Sequence, residues 1–181
     1  MTRQEYIKYI ANSAIRAVSG TKLFPSVLIA QATLESGNGN SSLSKQPYNN
    51  HFGIKAGSTW KGKKASFRTR EVINNVSVYV NAYFRVYDSI TESLKDRNSL
   101  LLNNSRYKKV LQANTAEQQT RELQQAGYAT DPNYSTVLIQ IIVDNNLKKY
   151  DRIAKINKVL PFAAILFLGA GATAFYKFHK S

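Results

Sequence analysis

A chain of 181 residues, 43% of them hydrophobic, is long enough to bury a core of its own, and its lack of cysteine excludes disulfides, thiolate metal sites and thiol nucleophiles. Lys and Arg number 25 against 11 Asp and Glu, a net charge of +14, and only five of the basic residues lie beyond residue 150. A field of that sign draws polyanions; nucleic acid, anionic lipid and anionic cell-wall material all qualify, and charge alone does not choose among them.

Thr2 and Glu5 form a capping box ahead of Ile7, Ile10, Ala11, Ala14, Ile15 and Val18 at helical spacing, so a first helix is predicted up to Gly20. This start leads into an amphipathic pattern rather than an apolar run, and no secretion signal is expected. Pro25 opens a second helix, Ser26 to about Glu35, so apolar on all sides that it should be central and buried. The run Ser36-Gly37-Asn38-Gly39-Asn40 breaks it. Residues 41–64 are rich in turn formers. Ser66–Val72 and Val76–Val80 flank Asn74-Asn75 and read as a β-hairpin, with Tyr83–Tyr87 extending the β region. Ser89 and Glu92 cap a helix reaching about Leu102, and Thr115 and Gln118 cap another that Gly127 ends. Asp131-Pro132 starts a last helix with Val137, Leu138, Ile141 and Ile142 on its apolar side.

The pattern predicts a catalytic-size domain over 1–150 and a basic linker over 151–158. Val159 to Tyr176 then runs for 18 residues without a charge, bracketed by Lys158 and Lys177. As a helix it would be about 27 Å long, near the thickness of a bilayer core, so a transmembrane helix is expected at 159–176, followed by a short basic tail at 177–181. A buried core helix is the alternative. The fold class is α+β, mainly α, with one small β-hairpin lobe.

Among the few carboxylates, two stand out as candidate catalytic groups. Glu35 ends the most apolar helix, where poor solvation and the negative end of the helix dipole both favour its protonated form, as a general acid needs. Glu71 lies in the hairpin, across the breaker-rich segment, and paired carboxyls across a cleft are the usual apparatus of glycoside hydrolysis. Plain structural roles, a helix-terminal Glu facing water and a solvated strand residue, also fit them. His51 has no second ligand at metal spacing, so neither metal nor cofactor is assigned. Neither a Gly-x-Ser-x-Gly elbow nor a phosphate-binding glycine loop is present.

Gln31-Ala32-Thr33-Leu34-Glu35-Ser36-Gly37-Asn38-Gly39, Asn49-Asn50-His51-Phe52-Gly53-Ile54-Lys55, Phe84-Arg85-Val86-Tyr87-Asp88-Ser89 and Ala126-Gly127-Tyr128-Ala129-Thr130-Asp131-Pro132-Asn133-Tyr134 together resemble, in order, the motifs of the bacterial glucosaminidase family (glycoside hydrolase family 73, the flagellar-muramidase and autolysin type). The resemblance covers roughly residues 20–150. It implies a lysozyme-like fold and hydrolysis of peptidoglycan glycan strands at the β-1,4 bond between N-acetylglucosamine and N-acetylmuramic acid. It places the general acid at Glu35 and the second carboxylate near Glu71. Asn49, Asn50, Phe52, Tyr128 and Tyr134 are the candidate substrate-binding residues, and one of the two tyrosines is implied in the cleft. Val72-Ile73-Asn74-Asn75 departs from the family's more usual aromatic and Asn-Gly turn.

Peptidoglycan and, through the C-terminal helix, a membrane are therefore the expected partners. Scattered basic residues without a recognition motif give no ground for a nucleic-acid partner. The expected location is a membrane anchor with the domain facing the wall, or a phage lysis or virion protein. The competing reading is a non-catalytic wall-binding or virion structural protein that keeps a lysozyme-like cleft.

Overall fold

The computed structural model describes residues 1–73 and 76–159, with the backbone alone for 70–73, 158 and 159. Six α-helices and one two-stranded sheet are described: α1 (Arg3–Ala17), α2 (Pro25–Glu35), β1 (Lys64–Ile73), β2 (Val76–Arg85), α3 (Ile90–Leu102), α4 (Ala116–Gln125), α5 (Tyr134–Asp144) and α6 (Lys148–Val159). The architecture is the expected α+β, mainly α, with a hairpin lobe inserted between α2 and α3.

Every residue of α2 from Pro25 to Thr33 is buried, and α1, α4, α5 and α6 all pack on it. A helix that is apolar all round can satisfy itself only in this central place. Its first turn is unusual. The N-cap position, Phe24, offers no side-chain acceptor. Asp151 of α6 fills that role from 125 residues away, accepting the Ser26 amide at 2.8 Å on Oδ1 and the Ser26 hydroxyl at 2.7 Å on Oδ2. A carboxylate at a helix N-terminus satisfies free amides and complements the dipole. Burial pushes the Asp151 pKa above its ordinary value, and the two bonds from Ser26 pull it back.

This contact corrects the expected boundary at residue 150. Residues 151–158 continue α6 rather than forming a linker, and Asp151 is tucked against α2. The transmembrane expectation for 159–176 lies outside the described residues; among the described ones, no helix is long and apolar enough to cross a membrane. At α5, Asp131 is not the N-cap. Its Oδ1 accepts the Asn133 amide at 2.8 Å in a turn just before the helix, which opens at Tyr134.

The hairpin pairs antiparallel from Lys64 opposite Arg85 to Ile73 opposite Val76, so the strands flank residues 74–75 as predicted. Its root is tied to the body by the Lys55–Phe84 bridge and by Phe67, whose ring meets Tyr48 and Phe84 edge-on at 5.0 and 6.1 Å.

Candidate active site

The loop after α2 sets the site's entrance. Gly37, Asn38 and Gly39 all take positive φ (57°, 59° and 73°), turning the chain sharply just after Glu35. Gly39 has a second constraint: a Cβ there would stand 2.6 Å from the Tyr6 ring. Ser36 closes the helix end, its hydroxyl donating to the Ala32 carbonyl and accepting the Gly39 amide at 2.7 Å.

Glu35 is solvent-exposed as a residue, as a group that must reach a substrate has to be. Its carboxyl is nevertheless held from behind: the Tyr134 hydroxyl donates to Oε1 at 2.9 Å. That hydroxyl in turn accepts from Gln31 Nε2 at 2.7 Å, one turn back along α2. The Tyr134 ring stacks on Tyr128 with centroids 5.9 Å apart. Two α2 side chains and the tyrosines of the 126–134 segment thus form one hydrogen-bonded and stacked unit. Partial desolvation raises the Glu35 pKa, opposed by the Tyr134 hydrogen bond and by the positive charge of Arg97. Burial likewise pushes the Tyr128 hydroxyl up to about 12 and the Tyr134 hydroxyl higher still, so both are neutral donors at any working pH.

Arg97 lies on the apolar stripe of α3 with Ile90, Leu94 and Leu101 and is 1% exposed. Its Cζ sits 5.9 Å from the Tyr128 ring centroid. Nη1 donates to Asn98 at 2.9 Å, while Nε and Nη2 find no hydrogen-bond partner among the described residues. Burial lowers its pKa; Tyr128, Tyr134 and Glu35 draw it back. A guanidinium stays charged even so, and its charge favours the ionised form of Glu35. Arg97 was not singled out in the sequence. A basic residue at i+7 from Ile90 and i−4 from Leu101, on an otherwise apolar face, was the available signal.

The other predicted binding residues are placed differently. Asn50 uses both ends of its amide on backbone: Nδ2 donates to the Ile54 and Arg85 carbonyls and Oδ1 accepts the Ile54 amide. Asn49 donates to the Tyr87 carbonyl. Both are buried, and Phe52 belongs to the hydrophobic core. These three, expected to meet sugar, are buried: Asn49 and Asn50 tie the 48–54 loop to the end of β2, as a loop so rich in backbone polar groups needs internal partners, and Phe52 packs into the core. His51 is likewise structural, its Nδ1 2.7 Å from the Tyr6 hydroxyl and its pKa pushed down to about 4 by burial. The backbone of Glu71 pairs with Val78 in the hairpin, but its side chain lies outside the described residues. Among the described residues, no cluster of His, Asp and Glu could hold a metal. A cavity floored by Val18, Leu23 and Phe24 sits at the start of α2, the end opposite Glu35, and does not belong to this site.

A family model described as mannosyl-glycoprotein endo-beta-N-acetylglucosaminidase matches residues 11–147. The chain belongs to the glucosaminidase family. Within it, the domain is 41% identical over 154 residues, 82% of this chain, to a probable N-acetylmuramidase of Lactococcus lactis. It is 45% identical over 119 residues, 64% of this chain, to the peptidoglycan hydrolase FlgJ of Salmonella typhimurium. It spans 35% and 38% of the length of those two relatives. The catalytic domain of the autolysin Auto from Listeria monocytogenes superposes with a TM-score of 0.77 and 38% identity, covering 83% of this chain and 89% of that one. This glucosaminidase domain therefore has the mainly helical, lysozyme-like α+β fold of a glycoside hydrolase family.

Proposed function

We propose that the chain hydrolyses the glycan strands of peptidoglycan, with Glu35 as the general acid. The observation that carries this reading is the Glu35 carboxyl itself: it is open to solvent on one side, desolvated and hydrogen-bonded by Tyr134 on the other, and its pKa is raised. A general acid must hold its proton near neutral pH and still touch the leaving oxygen. In the forward step Glu35 gives its proton to the glycosidic oxygen as the C1–O bond breaks. The resulting carboxylate is then received by the Tyr134 O–H and by the charge of Arg97. Both interactions are stronger for the charged form, so they favour the acid's ionised state as the bond breaks.

The bond proposed is the β-1,4 link on the reducing side of N-acetylglucosamine. The description of the family model supports it, whereas the name of the Lactococcus relative supports cleavage after N-acetylmuramic acid. Mass spectrometry of reduced muropeptides from digested wall separates the two. Reduced N-acetylglucosamine at the new end is expected, and reduced muramic acid overturns the bond assignment. Glu71 is proposed as the second carboxylate, which activates water. If the substrate's own acetamido group attacks instead, Glu71→Gln keeps most of its activity and Glu71 leaves the mechanism.

A further inference from the structure

The hairpin carries more charge and more exposed aromatic surface than a cleft wall requires. From Lys55 to Arg85 the chain has seven basic residues against one acid, Glu71. Two of the cations are paired with carboxylates, Lys63 with Asp88 at 2.5 Å and Arg85 with Asp96 at 2.7 Å. Others are arranged on one face of the sheet. The register sets Ser66 opposite Tyr83, Arg68 opposite Asn81 and Lys64 opposite Arg85, so these residues share a face. The alternate face, with Phe67 and Phe84, packs on the body through Tyr48. The first face therefore points away from the core. On it Tyr79 is 65% and Tyr83 53% exposed.

Each tyrosine lies beneath a cation on the neighbouring strand. Lys64 Nζ is 4.6 Å from the Tyr83 centroid and Arg68 Cζ 5.0 Å from the Tyr79 centroid. The same diagonal pair thus occurs twice, four residues apart, or roughly 13 Å along the strand. Exposed tyrosines side by side with arginine and lysine are a costly way to finish a solvent face, but they are the residue types that anchor interfaces. Aromatic faces pack on the apolar faces of sugar rings, and the cations suit carboxylates spaced along the same strand.

We propose that this outer face of the hairpin is a second peptidoglycan-binding surface, separate from the cleft, in which Tyr79 and Tyr83 hold sugar rings and Lys64 and Arg68 meet carboxylates of the peptide branches. The proposal rests on the reading of peptidoglycan as the substrate. It gives the positive field a defined ligand. A strand held on the outside of the lobe keeps the enzyme on insoluble wall while the cleft works on a neighbouring strand.

The test uses full-length protein carrying Glu35→Gln, so that the wall is not consumed, and sedimentation with insoluble peptidoglycan stripped of phosphodiester polymers by acid. Tyr79→Ser with Tyr83→Ser, which leaves every charge in place, is expected to weaken binding roughly tenfold, and Lys64→Gln with Arg68→Gln to do the same. With Glu35 restored, both double variants should cleave a soluble, peptide-free glycan at the parent rate, which shows that they fold and that the cleft is intact. Tyrosine variants that bind stripped wall within twofold of the parent overturn the proposal. So does loss confined to the lysine–arginine variant on wall that still carries phosphodiester polymers, since that is attraction of a polycation to any polyanion. A parent that neither binds nor cleaves peptidoglycan sinks the substrate reading as well, whereas a parent that cleaves it while the variants bind normally removes the second surface alone.

Discussion

Glu35 occupies a position where stability and function pull apart. A carboxyl whose folded pKa stands above the ordinary 4.5 binds its proton more tightly folded than unfolded. Its contribution to stability is therefore favourable in acid and is lost as pH rises. Glu35→Gln should lose wall lysis by a factor of about 10² or more, the usual share of general acid catalysis. It should also melt at a higher temperature than the parent at pH 7, with the difference vanishing below about pH 4. Turbidity clearing above a tenth of the parent rate, or a lower melting temperature at neutral pH, would remove Glu35 from its role. Arg97 gives the complementary prediction. Its charge holds the Glu35 pKa down, so Arg97→Met should move the alkaline limb of the kcat/KM profile to higher pH, because the acid then keeps its proton longer. The fold should persist, since replacing a buried and poorly paired charge by an apolar side chain of similar volume is often neutral or stabilising. An unmoved or lowered limb would show that the arginine's charge is not felt at the acid.

At the scale of elements, what the sequence made legible is what local rules govern. The capping box at Thr2, the side-chain N-caps at Ser89 and Thr115, the breaker after Glu35 and the alternation in the hairpin each announce an element whose causes lie within a few residues. α6 was illegible for the opposite reason. Its exposed Ile153 and Ile156 and its lysines look like a linker, and what docks it to α2 is a polar contact, Asp151 with Ser26, that no hydrophobic period records. The internal bonds of Asn49 and Asn50 were not legible, because a sugar-binding amide and an amide that ties a loop to its neighbour are the same residue in sequence. The loop after α2 yields a sharper test. Gly39→Ala should destabilise the fold by about 1–3 kcal/mol, from a positive φ and a Cβ driven into the Tyr6 ring. Since Tyr6 also bonds His51, relaxation there is restricted. Gly37→Ala meets no neighbour within 4 Å and should cost less, from its φ alone. Equal losses in chemical denaturation would dismiss the Tyr6 contact as the cause.

For the molecule as a whole, acid tolerance should be set in part by His51. Its folded pKa of about 4 lies below the ordinary 6.5, so the unfolded chain takes up a proton first. Stability from this group is complete above about pH 6.5 and drains away as pH falls toward 4, by about 3 kcal/mol at most. His51→Gln, which can still accept from Tyr6, should flatten the denaturation midpoint between pH 6.5 and 4; an unchanged slope would assign acid loss elsewhere. The proposed membrane anchor at 159–176 is tested at the same scale. A fragment of residues 1–159 should be soluble and active while the full chain sediments with membranes. A full chain that stays soluble without detergent would oppose the anchor. A fragment ending at residue 150 should melt lower, because it lacks Asp151.

Two bonds that fix the ends of α2 join residues far apart in the chain: Glu35 to Tyr134 across 99 residues at the active centre, and Ser26 to Asp151 across 125 at the opposite end of the helix. During synthesis α2 leaves the ribosome early, with neither the tyrosine that holds its acid nor the carboxylate that caps its first turn. A nascent or prematurely terminated chain therefore carries Glu35 without its machinery. The arrangement around Glu35 is therefore complete only once the chain has been translated past Tyr134, and contacts that close loops of this length slow folding.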